Sequence, residues 1–320
     1  MQDNSGTIEA QVVTPESSEH AQWDQILDRF DCLRGRERRV EELTGGHTNK
    51  NIKVTTDDLC AVARITQEST GILGIDREAE RFNTLAAAES GVGAPVLEYV
   101  TDPPLLLIEY IESKTLDLDD LKSGEPLKRI ADACRTLHAG PRFINDFNAF
   151  DLTRHYLRAI DERGIQLPPG YLDHLPDMDA IEKAFHALSI QTVPCHNDLL
   201  AFNFLDDGEK IWIIDYEFAG NNDPLFEIGN IWSDNQLSVE QLDQLMEAYD
   251  GRIVPSRVAR ARLQGLMSKC VWTLYTVIQG SMSDIEFDFD AWGEEKWDRA
   301  LAEFRGPDFG RLLEASQLSM

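Results

Sequence analysis

Positive charge is scarce in this chain. Thirty Lys and Arg stand against 57 Asp and Glu in 320 residues, a formal net charge of −27. A surface that acidic excludes non-specific binding to nucleic acid and to an anionic membrane face. It leaves room for a cationic or neutral small substrate, although solubility alone would account for it. Long apolar runs are missing too, so no membrane insertion is expected. The opening stretch MQDNSGTIEAQVV has neither a basic n-region nor an apolar h-region, and no cleaved leader is expected. Cysteine is sparse: Cys32, Cys60, Cys134, Cys195 and Cys270 are far apart, odd in number and form no C-x-x-C. That argues against a disulfide framework or a structural zinc and points to a reduced, cytoplasmic protein. Cys195 precedes His196, but neighbours on an extended segment face opposite ways, so no Cys–His nucleophile is expected there.

What is present falls into two halves. Residues 1–20 are polar and turn-rich and read as a loose tail. Trp23, Ile26, Leu27, Phe30 and Leu33 recur at helical spacing over residues 21–34. Short strands follow over 40–43, 52–54 and 59–65. The first two flank the small polar stretch Thr44–Asn51, which includes Gly45, Gly46, Thr48 and Asn49. Such a loop can lay backbone N–H groups over phosphates, or it can be a plain hairpin. A helix from Ile75 to about Gly91 comes next, with Phe82, Leu85 and Ala86 as its apolar side, and Glu78 or Glu80 within reach of Arg64 on the third strand. Two further strands cover 96–99 and 105–108. Beyond about residue 112 the pattern changes to long helices. The expected architecture is α+β and bilobal: a tail at 1–20, a small antiparallel-sheet lobe at 21–111, and a larger, mainly helical lobe at 112–320. Among the later helices, one starts at Asp223-Pro224, an N-cap followed by proline, and places Glu227, Asn230 and Asp234 on one face. His138 ends an apolar helix face and reads as a satisfied core histidine.

The chemistry concentrates in VPCHNDLLAFNFLDDGEKIWIIDYE, residues 193–217. His196, Asp198 and Asn203 make an H-x-D-x-x-x-x-N pattern. Asp215 ends the apolar run Ile211–Ile214, and Asp207-Gly208 between them is a hairpin turn signal. A loop, a strand, a tight turn and a second strand bring Asp198, Asn203 and Asp215 to one end of one small sheet. Protein kinases use a similar set: an Asp that accepts the proton of the attacking hydroxyl, then an Asn and a second Asp that hold Mg2+ on nucleotide phosphates.

With those stretches in view, the chain resembles the choline/ethanolamine kinase family, part of a wider kinase-like group that includes aminoglycoside phosphotransferases. The matching segments run in order from residue 40 to about 305: LTGGHTNKNIKV, VARI, IDREAERFNTLAAAESGVGAP, IEYIESKTL, LHAG, HNDLLAFNF, IDYEFAG, FEIGN and WTLYTVIQ. The resemblance implies a protein-kinase-like fold and ATP-dependent, Mg2+-dependent transfer of a phosphoryl group to choline, with ethanolamine, thiamine or an aminoglycoside as alternative acceptors and a pseudokinase as the rival class. It implies Asp198 as catalytic base, Asn203 and Asp215 as Mg2+ ligands, Arg64 oriented by Glu80 on the phosphates, and Gly45, Gly46, Thr48 and Asn49 over them. The backbone of Glu109 and Ile111 falls where adenine is held. Asp234, Trp272, Tyr275, Trp292 and Glu217 fall around a small cationic amino alcohol. Two positions depart from the family: Glu227 stands where Asp is commoner, and Tyr275 where eukaryotic choline kinases have Trp. The oligomeric state is not set by the sequence; a homodimer is compatible with it.

Overall fold

The computed structural model describes residues 11–12, 18–43, 49–66, 71–283, 285 and 287–318. Its first half is an antiparallel sheet of six strands: β1 (Gln11–Val12), β2 (Arg39–Leu43), β3 (Asn49–Thr55), β4 (Cys60–Thr66), β5 (Val96–Thr101) and β6 (Pro104–Glu109), in the order β1-β2-β3-β4-β6-β5. Val40, Ile52, Val54, Ala61, Ala63, Leu105 and Leu107 point to one face, as alternation along pleated strands requires. There they meet Trp23, Leu27, Phe30 and Leu33 from helix α1 (Ser18–Leu27) and the turns after it. The expected apolar stripe is therefore buried, but the helix is shorter than the spacing suggested. Beyond Leu27 the backbone bonds tighten to Phe30 N–Leu27 O and Leu33 N–Phe30 O. The expected tail over 1–20 is also shortened at its end. Gln11 and Val12 pair with Glu42 and Glu41, and α1 begins at Ser18.

Helix α2 (Arg77–Ser90) is capped by Asp76, whose side chain accepts from the N–H groups of Glu78 and Ala79. It corrects one expectation. Phe82 and Leu85 are among the exposed large side chains, while Ala79, Glu80, Asn83, Thr84 and Ala87 are buried. The inward stripe is polar because the helix faces a carbonyl of the other half and two arginines of its own half. Asn83 donates to the Ala219 carbonyl, and Glu80 meets two arginines.

The second half carries the short strands β7 (Lys114–Thr115), β8 (Val193–Cys195), β9 (Phe204–Asp206), β10 (Ile211–Ile213) and β11 (Gly220–Asn222). Around them stand helices α3 (Leu118–Lys122), α4 (Leu127–His138), α5 (Ala149–Arg163), α6 (Leu175–His186), α7 (Pro224–Asp234), α8 (Val239–Asp250), α9 (Pro255–Met282), α10 (Phe289–Phe304) and α11 (Phe309–Ser316). The β9–β10 hairpin turns at Asp207-Gly208, with Gly208 at φ 90°. The bilobal α+β organisation expected from the sequence is thus present. Among the described residues, no helix is long and apolar enough to cross a membrane.

Helix α9 is the axis of this half, buried on nearly every side between Ala259 and Gln279. Two helices approach it through glycine. A Cβ on Gly229 of α7 would lie 2.2 Å from the Ala261 carbonyl oxygen, and one on Gly265 would lie 2.6 Å from that of Gly229. A Cβ on Gly293 of α10 would lie 2.2 Å from Thr276 Oγ1. Only glycine allows such closeness. It sets α7, which carries Glu227, Asn230 and Asp234, and α10, which carries Trp292 and Lys296, tight against α9, with α7 bonding the loop that follows β8.

Candidate active site

The loop after β8 is held in one conformation by its own side chains. Asn197 sits at φ 70°, a region that residues other than glycine seldom enter. Its Nδ2 donates toward the carbonyls of Cys195, Phe218 and Gly220, and its Oδ1 accepts from Asn222. His196, fully buried, bonds through Nε2 to the Ile214 carbonyl, while its Nδ1 accepts from the Asp198 N–H. That assignment fits a neutral ring, and burial holds its pKa below the usual histidine value. Beneath, the carboxylate of Glu227 accepts from His196 N at 2.7 Å and Asn197 N at 2.8 Å. The longer side chain at this position is thus a backbone anchor. Burial would raise its pKa, but His138, 3.7 Å away, and the loop N–H groups outweigh burial and lower it.

His138 also bonds Tyr249 Oη at 2.7 Å and lies 3.6 Å from Cys195 Sγ, so it is satisfied in the core as expected. Burial pushes the Cys195 thiol well above its ordinary range, which agrees with rejecting it as a nucleophile.

Asp198, Asn203 and Asp215 meet at one end of the β9–β10 hairpin. Asn203 Nδ2 donates to the Asp198 carbonyl at 2.8 Å, and the Ile214 N–H donates to the Asn203 carbonyl at 3.1 Å. Asp215 follows directly, at φ 73°. Non-glycine residues in this region collect at functional sites. The Asp198 carboxyl is held well above its ordinary range, first by burial and then by the charges of Asp234, Asp215 and Glu217, with Lys296 opposing.

Arg64 reaches this cluster from β4. Its guanidinium donates to Asp215 and lies 3.4 Å from both Glu80 and Glu217. Arg77 on α2 closes the ring, 2.6 Å from Glu80 and 3.4 Å from Glu217. Burial alone would lower the pKa of Arg64, but the three carboxylates raise it. Glu217 is pushed up to about 7 by burial and by Asp215, against the pull of Arg64 and Arg77. Either Glu78 or Glu80 was open on spacing alone. The structure turns Glu80 inward and leaves Glu78 exposed on the helix. Arg77 was the residue missed, although R-x-x-E places it one turn from Glu80.

The donor set formed by Asp215 and Asn203 is a carboxylate and an amide, the hard oxygens that Mg2+ prefers, and the committed Nδ2 of Asn203 leaves its Oδ1 as the ligand atom. The chain fits that ion. Glu109 N donates to Pro95 O, Tyr110 N to Cys60 O, and Ser113 Oγ to Ile111 O, so the crossing from β6 into the second half is a hydrogen-bonded strap. Gly45, Gly46 and Thr48 lie outside the described residues. Asn49 begins β3, paired with Thr66.

Two of the rings expected around an acceptor meet each other, while the third, Trp292, packs on Phe287 at 5.6 Å. Trp272 and Tyr275 stand edge to face at 5.7 Å, and Phe218, which the sequence reading did not single out, packs on both at 4.8 and 5.9 Å. Trp272 Nε1 is buried with no hydrogen-bond partner among the described residues, and Tyr275 Oη accepts from Gln279. Asp234 is employed differently from the expectation of a free counter-charge. Lys296 Nζ lies 2.5 Å from one of its oxygens, and Asn230 and Ser268 donate to the other at 2.6 and 3.0 Å. The same ammonium stands 4.6 Å from the centre of the Trp292 ring. Trp292 and Lys296 are four residues apart on α10, a spacing that offered a signal for the lysine.

Residues 39–266 match the APH phosphotransferase enzyme family. Protein LicA of Haemophilus influenzae is 29% identical over 248 residues, covering 73% of this chain and 72% of that protein. Ethanolamine kinase 2 of Mus musculus is 28% identical over 285 residues, covering 78% and 72%. A crystal structure of a choline/ethanolamine kinase family protein from Mesorhizobium loti superposes with a TM-score of 0.83 at 28% identity, covering 93% of this chain and 99% of that one.

Proposed function

Because the chain belongs to the phosphotransferase enzyme family, we propose that it transfers the γ-phosphoryl of ATP to the hydroxyl of a small cationic amino alcohol, with choline as acceptor and Mg2+ as the required ion. The observation that carries this reading is the meeting of Asp198, Asn203 and Asp215 at one hairpin end, with Arg64 reaching them from the opposite half.

In this mechanism Asp198 aligns the acceptor hydroxyl and takes its proton. Asn203 Oδ1 and the Asp215 carboxylate would hold Mg2+, which would supply positive charge against the phosphates and the negative field around Asp198. Arg64 exchanges Asp215 for phosphate oxygens, and Glu80 and Arg77 keep its planar fork aimed. The main chain of Glu109 and Ile111 receives the adenine through the Glu109 carbonyl and the Ile111 N–H. Gly45, Gly46, Thr48 and Asn49 cover the phosphates. The transition state is loose, so positioning and charge neutralisation outweigh base strength. A trimethylammonium group has no N–H to donate. Ring faces hold it, and Trp272, Tyr275 and Trp292 supply them. Glu217 adds negative charge, while Asp234 acts from behind through its pair with Lys296.

Ethanolamine is the second reading, favoured by the similarity to ethanolamine kinase 2. ADP release measured with ATP and Mg2+ over choline, ethanolamine, thiamine and an aminoglycoside tests both. Release that depends on choline supports the first reading, and a preference for ethanolamine the second. Nucleotide binding without acceptor-dependent release would mean a pseudokinase and end the proposal.

A further inference from the structure

Lys296 and Asp234 form an ion pair in which each side chain is only 1% exposed. Ionised groups that deep require a reason, because desolvation opposes their burial. The partners of Asp234 suggest one. Its Oδ2 accepts from Asn230 Nδ2, and Asn230 Oδ1 accepts in turn from the Leu199 N–H at 2.6 Å. Asn235 grips the other side of that residue, donating to the Leu199 carbonyl at 2.9 Å. Leu199 follows Asp198. A continuous chain of polar contacts therefore runs from the ammonium on α10, through α7, to the peptide next to the proposed base. The Gly293–Thr276 approach brings α10 close enough for this. Trp292, one turn back, supplies a ring face 4.6 Å from the same ammonium.

We propose that Lys296 is a positioning residue of the active site, fixing the peptide that carries Asp198 through Asp234 and Asn230. Asn230 has one amide to orient. Its oxygen must face the Leu199 N–H, which requires its Nδ2 to face an acceptor. A carboxylate pinned by Lys296 on one oxygen and Ser268 on the other presents that acceptor in a single orientation. Without the ammonium, one oxygen of Asp234 loses its partner, the carboxylate is free to turn, and the constraint on Leu199 is lost. The inference rests on the reading of Asp198 as the base.

The test compares variants with an active wild-type enzyme, so failure of the wild type to turn over would count against the proposed function and not against this inference. Lys296→Met keeps the length and removes the charge. The expected result is a fall in kcat of about tenfold to a hundredfold, the scale of a misplaced reacting group. The dissociation constant for MgATP and the acceptor KM should stay within about twofold, the mark of an interaction that acts on the transition state. Lys296→Arg should recover kcat to within about fivefold. If Lys296→Met does not fold, the pair Lys296→Met with Asp234→Leu removes both charges and the acceptor of Asn230 together, which breaks the tether, and the same split is expected. A folded variant with unchanged kcat would overturn the inference. So would a raised acceptor KM at constant kcat, which would put Lys296 in the acceptor pocket, or an Arg variant as slow as Met.

Discussion

The guanidinium of Arg64, carried by the six-stranded sheet, donates to the carboxylate of Asp215 on the far half of the molecule. A residue suited to phosphate thus touches a residue suited to a metal. Glu80 and Glu217 share the same arginine. Replacing Arg64 by Lys keeps a charge but loses the planar fork that can serve several carboxylates at once. The KM for ATP should rise about tenfold, measured at saturating acceptor, with a smaller change in the acceptor KM.

Asp198→Asn keeps the shape of the loop and removes the proton acceptor. Its kcat should drop by about 10²- to 10⁴-fold, the usual worth of general-base help. Asp215→Ala should abolish turnover and also weaken Mg2+-dependent nucleotide binding, which Asp198→Asn should leave nearly intact. Turnover near wild type in either protein, with an unchanged circular dichroism spectrum, would refute the site.

Glu217 gives a pH prediction with a definite sign. Its folded-state pKa is raised from 4.5 to about 7. Between those values the folded protein holds more protons than the unfolded one, so this group's contribution to stability falls as pH rises through that window. In the ligand-free protein, Glu217→Gln should flatten the decline of unfolding free energy between pH 5 and pH 8, by no more than about 1.4 kcal/mol per pH unit, seen as a flatter Tm profile. A Tm profile parallel to wild type would show that Arg64 and Arg77 already cancel the burial.

Trp272→Ala tests the acceptor. A desolvated cation–ring contact is worth up to about 2 kcal/mol, so the choline KM should rise by roughly tenfold to thirtyfold with little change in the KM for ATP. An indifferent choline KM would favour an acceptor with N–H groups of its own.

Gly229→Ala should be disproportionately damaging for the addition of one methyl. The new carbon would meet the Ala261 carbonyl at 2.2 Å, and backbone cannot step aside as a side chain can. A loss of about 1–3 kcal/mol is expected, read as a drop in the urea midpoint.

The trio at 198, 203 and 215 was legible because its spacing and the Asp-Gly turn specify one hairpin, and local rules govern hairpins. The apolar stripe of α1 was legible for the same reason. Helix α2 was not. Its buried stripe at Glu80, Asn83, Thr84 and Ala87 is polar because its partners are an arginine pair and a loop carbonyl, and no periodicity of apolar residues reports that. Lys296 was missed because a lysine on an amphipathic helix ordinarily faces water. Only the meeting of α7, α9 and α10 turns it inward. Asn197 was passed over because a left-handed backbone is invisible until its partners at Phe218, Gly220 and Asn222, far along the chain, are in place.

That asparagine has a consequence for how the molecule moves. A peptide clamped from both sides by carbonyls of the following loop cannot loosen between one reaction cycle and the next. The segment bearing Asp198 therefore takes its shape from folding itself, through bonds that no ligand has to supply. If the proposed phosphoryl transfer requires opening and closing, the sheet half, joined through the strap at 109–113 and touching the other half where Arg64 meets Asp215, is the part left to supply it.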